Sequence, residues 1–233
     1  MPFADASTLP ALPVIELSQD ARAAFLRRTY AHLFMAVLGF IGVEMFLFAS
    51  GLAFPIARGM LSVPWLLILG TFVVAGWLAR SVAASAATPA LQYAALTGYV
   101  VIEALIFLPV LVIAYIQMPG VLTAASLTTI VAFGALTGLV FVTKQDFSFL
   151  RSLLMWGGII AMVAIVGATI FGFNLGILFT VAMLALAGGS ILYDTSNVLH
   201  HYPESRHVGA ALELFASLAL LFWYILRLFM SRR

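Results

Sequence analysis

An all-α integral membrane protein with seven transmembrane helices is what this sequence predicts, and three observations carry that reading. Of 233 residues, 64% are hydrophobic and 9% are charged, where a soluble domain carries about 25% charged residues. The apolar residues gather into seven runs, each close to the roughly 20 residues that cross about 30 Å of hydrocarbon. Runs such as WLLILGTFVVAGWLA lack the apolar–polar alternation of a membrane β-barrel strand.

The same numbers exclude other classes. Lys+Arg is 11 and Asp+Glu is 9, too few charges to give a globular domain of this size a polar skin. Disordered chains lack the apolar residues that dominate here. Nucleic-acid binding needs clustered basic residues, and these are scattered from Arg22 to Arg233. With no cysteine, disulfides, thiol catalysis and Cys-ligated metals are excluded.

The chain opens with MPFADASTLPALPVIELSQD, which holds Pro2, Pro10, Pro13 and three acids but no basic residue. A secretory signal would need a basic segment before an apolar core. Residues 1–24 therefore read as a flexible polar cytosolic tail, and 25–233 as the membrane domain. The seven runs lie near 29–50, 62–79, 91–115, 121–142, 152–172, 177–194 and 209–229. Turn and polar residues separate them: Pro55 to Arg58, Arg80 to Pro89, Gln117 to Gly120, Lys144 to Arg151, Phe173 to Gly176, and Thr195 to His207.

Basic residues in short loops set orientation. Arg22, Arg27, Arg28, Arg80, Lys144, Arg151 and Arg206 fall on the N-terminal side, against Arg58 on the other. A cytosolic N-terminus follows. Seven spans then place Arg227, Arg232 and Arg233 outside, against the rule, which leaves a re-entrant last helix open. Small residues mark close helix approaches: Gly134 and Gly138 in span four, Gly157, Gly158 and Gly167 in span five, Ala187 to Ser190 in span six. A monomeric bundle is the plainer expectation, with dimerisation through Gly134 and Gly138 the alternative.

Four acids stand where charge is expensive. Glu44 lies inside span one and Glu103 inside span three, while Asp194 closes span six and Glu213 opens span seven. An ionised carboxylate at helix depth costs at least about 2.5–3.5 kcal/mol, so each must face the bundle interior or a wet cavity. Each is either a buried hydrogen-bond anchor or part of an ion or proton path. Asp194 and Glu213 come from adjacent helices near one membrane face, and Glu213 and Ser217 share a helix face four residues apart. Two close carboxylates form a pH-sensitive pair that suits a cation site or proton latch, and Arg80 is a candidate partner for Asp194.

Enzyme chemistry finds no support. His200, His201 and His207 crowd one loop, with His201-x-x-Glu204 nearby, but the HExxH of a zinc hydrolase is absent, as is a phosphate-binding glycine loop. These histidines read as a solvated loop. His32 is the only histidine near the bilayer, and no Ser–His arrangement sits at helix depth. Tyr193, Tyr202, Trp223 and Tyr224 read as interfacial or packing aromatics. No internal repeat suggests alternating access.

Three motifs carry a resemblance. TKQDFSFL (Thr143 to Leu150), LYDTSNVLHHYP (Leu192 to Pro203) and ALELFASLALLFWYILRLF (Ala211 to Phe229) resemble the Bax inhibitor-1 family, in its bacterial YccA-like branch. The first half agrees only in hydropathy. The resemblance implies a bundle with a central seventh helix and a multi-pass location in the bacterial inner membrane. It also implies a pH-responsive calcium leak, gated in some members by two aspartates in spans six and seven. Asp194 matches the first, and would be the calcium contact. Ser217 stands at the second, where ALELFAS replaces the commoner ALxLYLD. Glu213, one turn away, is a candidate replacement carboxylate, and Arg80 falls near the family's basic residue closing span two. The YccA-like branch implies an alternative: a non-conducting modulator or substrate of a membrane-bound AAA protease. No cofactor beyond transient calcium, and no nucleic-acid partner, is expected.

Overall fold

The computed structural model describes residues 13–84 and 88–231. The expected tail's first twelve residues and the terminal Arg232 and Arg233 lie outside the described residues. A short 3-10 turn (Val14–Glu16) leads into α1 (Gln19–Ala49), followed by α2 (Ala53–Leu61), α3 (Trp65–Ala84), α4 (Pro89–Gln117), α5 (Val121–Thr143), α6 (Leu150–Phe171), α7 (Gly176–His200) and α8 (His207–Ser231). Among the described residues, six helices are long and apolar enough to span a membrane, and α2 with α3, bent by 110° at their break, make a candidate seventh. The seven-span bundle stands.

The ends of the helices follow from local chemistry. Ser18 caps α1, its hydroxyl accepting from the Ala21 amide at 3.3 Å, as a side-chain oxygen at that position does. Pro89 fills the first turn of α4, where a missing amide hydrogen is harmless. Gly120 and Gly172 take left-handed conformations at φ +82° and +71°, which end one helix and start the next at no steric penalty.

Three expectations shift. The break at Pro55 to Arg58 is itself the helix α2, because Pro55 falls in its first turn. Helix α1 begins at Gln19, and Val14 is fully buried, so the tail's last residues pack on the bundle. Asp194 does not close its helix. Helix α7 runs on to His200, because polar residues end the apolar run without ending the helix once it leaves hydrocarbon.

Aromatic pairs fix the directions of the helices. His32 and Phe40 of α1 lie 5.0 and 6.3 Å from His207 and Phe215 of α8, so both helices run the same way. Tyr99 and Phe107 of α4 meet Phe215 and Phe222 in the same sense, at 6.2 and 5.6 Å. Helix α7 runs against α8, with Asp194 beside Ser217 and Phe179 6.4 Å from Tyr224. The starts of α1 and α8 therefore lie at one face of the bundle and the end of α8 at the other, so α8 runs the length of the bundle rather than turning back.

Helix α8 is central, packed against α1, α3, α4, α5 and α7, with α6 outside against α7. Its residues Leu212, Leu214 and Leu226 are wholly buried. The outer surface carries Met45, Trp77, Val142, Phe171 and Leu178 exposed, as a lipid-facing surface requires. Gly157 is where α6 and α7 meet: a Cβ there would lie 2.7 Å from Leu186 Cδ1. Gly134 and Gly138 differ from expectation, because a Cβ on either meets nothing within 4 Å. Neither marks a close approach between two helices of this chain.

Candidate functional site

Asp194, Ser217, Glu213 and Arg80 come together around one cavity of about 530 Å³ at the N-terminal end of the bundle. Helix α7 supplies Asp194, α8 supplies Glu213 and Ser217, and the end of α3 supplies Arg80. The antiparallel run of α7 and α8 places Asp194 level with Ser217, whose hydroxyl donates to Asp194 Oδ2. Ser217 is itself buried. Asp194 keeps some exposure, directed into the cavity that it lines. Glu213 and Arg80 both act electrostatically on Asp194. These four residues bring two carboxylates, one hydroxyl donor and one guanidinium to the cavity.

Sequence reasoning missed several of its residues. Tyr193 and Tyr202, read as interfacial aromatics, line the same cavity with Asn197, Arg151 and Arg206. Burial first, and then the facing Glu213 carboxylate, push the Tyr202 phenol above its usual range, so it remains a hydrogen-bond donor at every ordinary pH. The signal was present in LYDTSNVLHHYP, whose Tyr202 follows Asp194 by eight residues, but the loop's path could not be read from spacing.

The histidines are not a merely solvated loop. His200 belongs to the last turn of α7, where its Nδ1 lies 2.9 Å from the Ser196 carbonyl oxygen. His201 Nε2 stands 3.4 Å from Asp146 Oδ2 in the α5–α6 connection. The Phe147 amide donates to Ser196 Oγ at 2.9 Å, and that hydroxyl reaches Asp146 Oδ1 at 3.4 Å. Residues of TKQDFSFL and LYDTSNVLHHYP, distant in sequence, are thereby stitched into one strap beside the cavity mouth. Partial burial raises the Asp146 pKa, but hydrogen bonds from Ser148 and the charges of His201 and His200 outweigh it and hold the carboxyl below its usual range.

The N-terminal turn closes the same corner. The Val14 amide donates to the Tyr202 carbonyl at 2.9 Å, and Arg22 Nε donates to the Val14 carbonyl at 3.2 Å. Arg22 also donates to the Ile15 carbonyl.

Glu44 and Glu103 do not join the cavity. Glu44 is buried in α1 with neither carboxylate oxygen partnered. Glu103, only 1% exposed, lines a second cavity of about 650 Å³ deeper in the bundle, while Tyr99 hydrogen-bonds it and Arg80 acts on it electrostatically. Among the described residues, no three His, Cys, Asp or Glu side chains are grouped to hold a metal ion.

A lipid-facing helical bundle wrapped around one buried helix, with carboxylates and a guanidinium at one end, defines a multi-pass membrane protein with a polar internal site. The chain belongs to the Bax inhibitor-1 family: the family model described as inhibitor of apoptosis-promoting Bax1 matches residues 22–233. That match extends through the first half of the bundle, where the sequence motifs were silent. No curated protein matches the chain.

Proposed function

We propose that this protein is a pH-responsive cation leak for calcium, with Asp194, Glu213, Ser217 and Arg80 as its gate. The observation that carries this reading is the Asp194–Ser217 hydrogen bond within a cavity that also holds Glu213 and Arg80. Calcium takes six to eight oxygen ligands. Asp194, Glu213, Ser217 and Asn197 offer oxygens, and water completes the shell. Two carboxylates without a third make a weak station, which suits passage, since conduction requires an ion that can leave as well as enter. Arg80 competes with the ion for the carboxylates, and protonation of Asp194 or Glu213 removes the charge that draws the ion in. The basic side chains at this end, Arg22, Arg28, Lys144 and Arg151, favour its facing the cytosol of a bacterial inner membrane.

The test is calcium entry into liposomes carrying purified protein. Flux that rises and falls with pH between about 6 and 8, and that Asp194→Asn reduces at least tenfold, is the expected result. Flux indifferent to Asp194→Asn across that range would sink the gate.

A second reading has its own observation. Ser217 places a hydroxyl where a second aspartate would stand, so Asp194 is held by a neutral donor. That favours a non-conducting role as a partner or substrate of a membrane-bound AAA protease. Co-purification from native membranes tests it, and an absence of any protease subunit would count against it.

A further inference from the structure

The second cavity differs from the first in kind. It is a cleft of about 650 Å³ with α3 on one side, α6 on the other, and α4 and α8 as its floor. Its walls are apolar and aromatic, with Phe72, Phe107, Phe173 and Trp223 among them. At its floor stands Glu103, 1% exposed, whose Oε2 has no hydrogen-bond partner. Tyr99 hydrogen-bonds this carboxylate and Arg80 acts on it electrostatically, while Oε2 is left over. Arg227, the one basic side chain among the described residues that line the cleft, lies eight residues along α8 from Ala219, which lines it too. At 1.5 Å per residue that is roughly 12 Å.

A hydrated metal ion does not suit such walls, because Glu103 is the one carboxylate among the described residues that line them and a divalent ion needs several oxygen ligands. An organic cation with an apolar body does. Its charge is diffuse and its hydration weak, aromatic faces attract it, and one buried carboxylate supplies the counter-charge that apolar surroundings make valuable. Arg227 repels a positive charge and so assigns the cationic end to Glu103. We propose that the cleft between α3 and α6 is a binding site for hydrophobic organic cations, with the free Glu103 oxygen as its anchoring charge. This goes beyond the calcium reading and does not depend on it, since binding is read without flux.

Tetraphenylphosphonium is the probe, with tetraphenylmethane as its uncharged counterpart of the same shape. Binding to purified protein in nanodiscs is followed by equilibrium dialysis. The wild type is expected to bind the cation saturably and at least tenfold more tightly than the neutral analogue. Glu103→Gln removes that preference. Gly158→Leu, at a cleft-lining position where an added Cβ meets nothing within 4 Å, fills the space and weakens binding of both probes. Glu44→Gln, a buried acid that does not line the cleft, leaves binding within twofold of wild type. Equal affinity for both probes in the wild type overturns the proposal, whether or not Glu103→Gln folds. Cation binding that survives both Glu103→Gln and Gly158→Leu also overturns it, and places the probe in lipid or in a cleft filled by an acyl chain.

Discussion

The Ser217 hydroxyl donates to Asp194 Oδ2 across the contact between α7 and α8. It joins the central helix to its antiparallel neighbour at the depth where the polar cavity begins. A hydrogen bond contributes about 0.5–1.5 kcal/mol net. Ser217→Ala is therefore expected to lower stability by about that amount, read as an earlier thermal transition in detergent, and an unchanged transition would show that the bond contributes nothing. Ser217→Asp places a second carboxylate beside the first. Ligand charge tunes calcium affinity, so calcium binding by titration calorimetry should strengthen by roughly tenfold, and a weaker affinity would count against calcium as the ion.

The strap formed by Asp146 and α7 should respond to acid in a defined direction. The Asp146 carboxyl sits below its usual range, so its stabilising effect is complete above the unfolded value, about pH 3.9. That effect is lost as pH falls through the folded value. Across neutral pH the strap keeps its carboxylate. Asp146→Asn removes the charge at every pH and should speed amide exchange over residues 144–149 by up to about fivefold at pH 7, the equivalent of an exposed ion pair. Exchange in the wild type that already accelerates between pH 7 and 5 would show that another group controls the strap.

Much of the bundle was legible because hydrocarbon leaves a chain few choices. Seven apolar runs and their breaks gave the crossings, and the costly acids marked Asp194 and Glu213 as neighbours. What escaped were features that depend on direction rather than composition. Helix α2 was hidden by Pro55, since a proline in a first turn reads like one in a loop. Tyr202 was taken for an interfacial aromatic because its side chain turns back under a loop whose path depends on Val14. Glu103 was grouped with Glu44 as an intramembrane acid, although one lines a cavity and the other does not. Spacing shows that an acid is buried, not what it faces.

Glycine positions separate by what lies over them. Gly157→Ala drives a methyl to within 2.7 Å of Leu186 Cδ1, the mobile end of a side chain, so the expected loss is about 1 kcal/mol, the low end for overpacking. Gly138→Ala meets open space and gains the helical preference of alanine, about 0.5–1 kcal/mol. Thermal transitions measured in one detergent should place Gly138→Ala above the wild type and Gly157→Ala below it. The reverse order would mean that α6 and α7 do not meet at Gly157.

The last prediction concerns the corner where the N-terminal turn meets the cavity. Val14 is fully buried, and its amide holds the Tyr202 backbone carbonyl at 2.9 Å, while the Tyr202 phenol faces Glu213. One residue thus carries two separate interactions, the backbone toward the turn and the side chain toward the cavity. Val14→Ala removes two buried methyl groups, worth about 1.6 kcal/mol at 0.8 per carbon, and should loosen the turn and the 201–206 loop together. Hydrogen exchange should rise over residues 13–18 and 201–206 by roughly tenfold, since 1.4 kcal/mol is a factor of ten. Tyr202→Phe keeps the carbonyl and loses only the phenol, so exchange over 13–18 should stay as in wild type. Its effect falls on Glu213, which loses the phenol as a hydrogen-bond donor. If Tyr202→Phe frees the N-terminal turn as Val14→Ala does, the two interactions are one unit, and the turn is coupled to the cavity through the tyrosine side chain rather than its backbone.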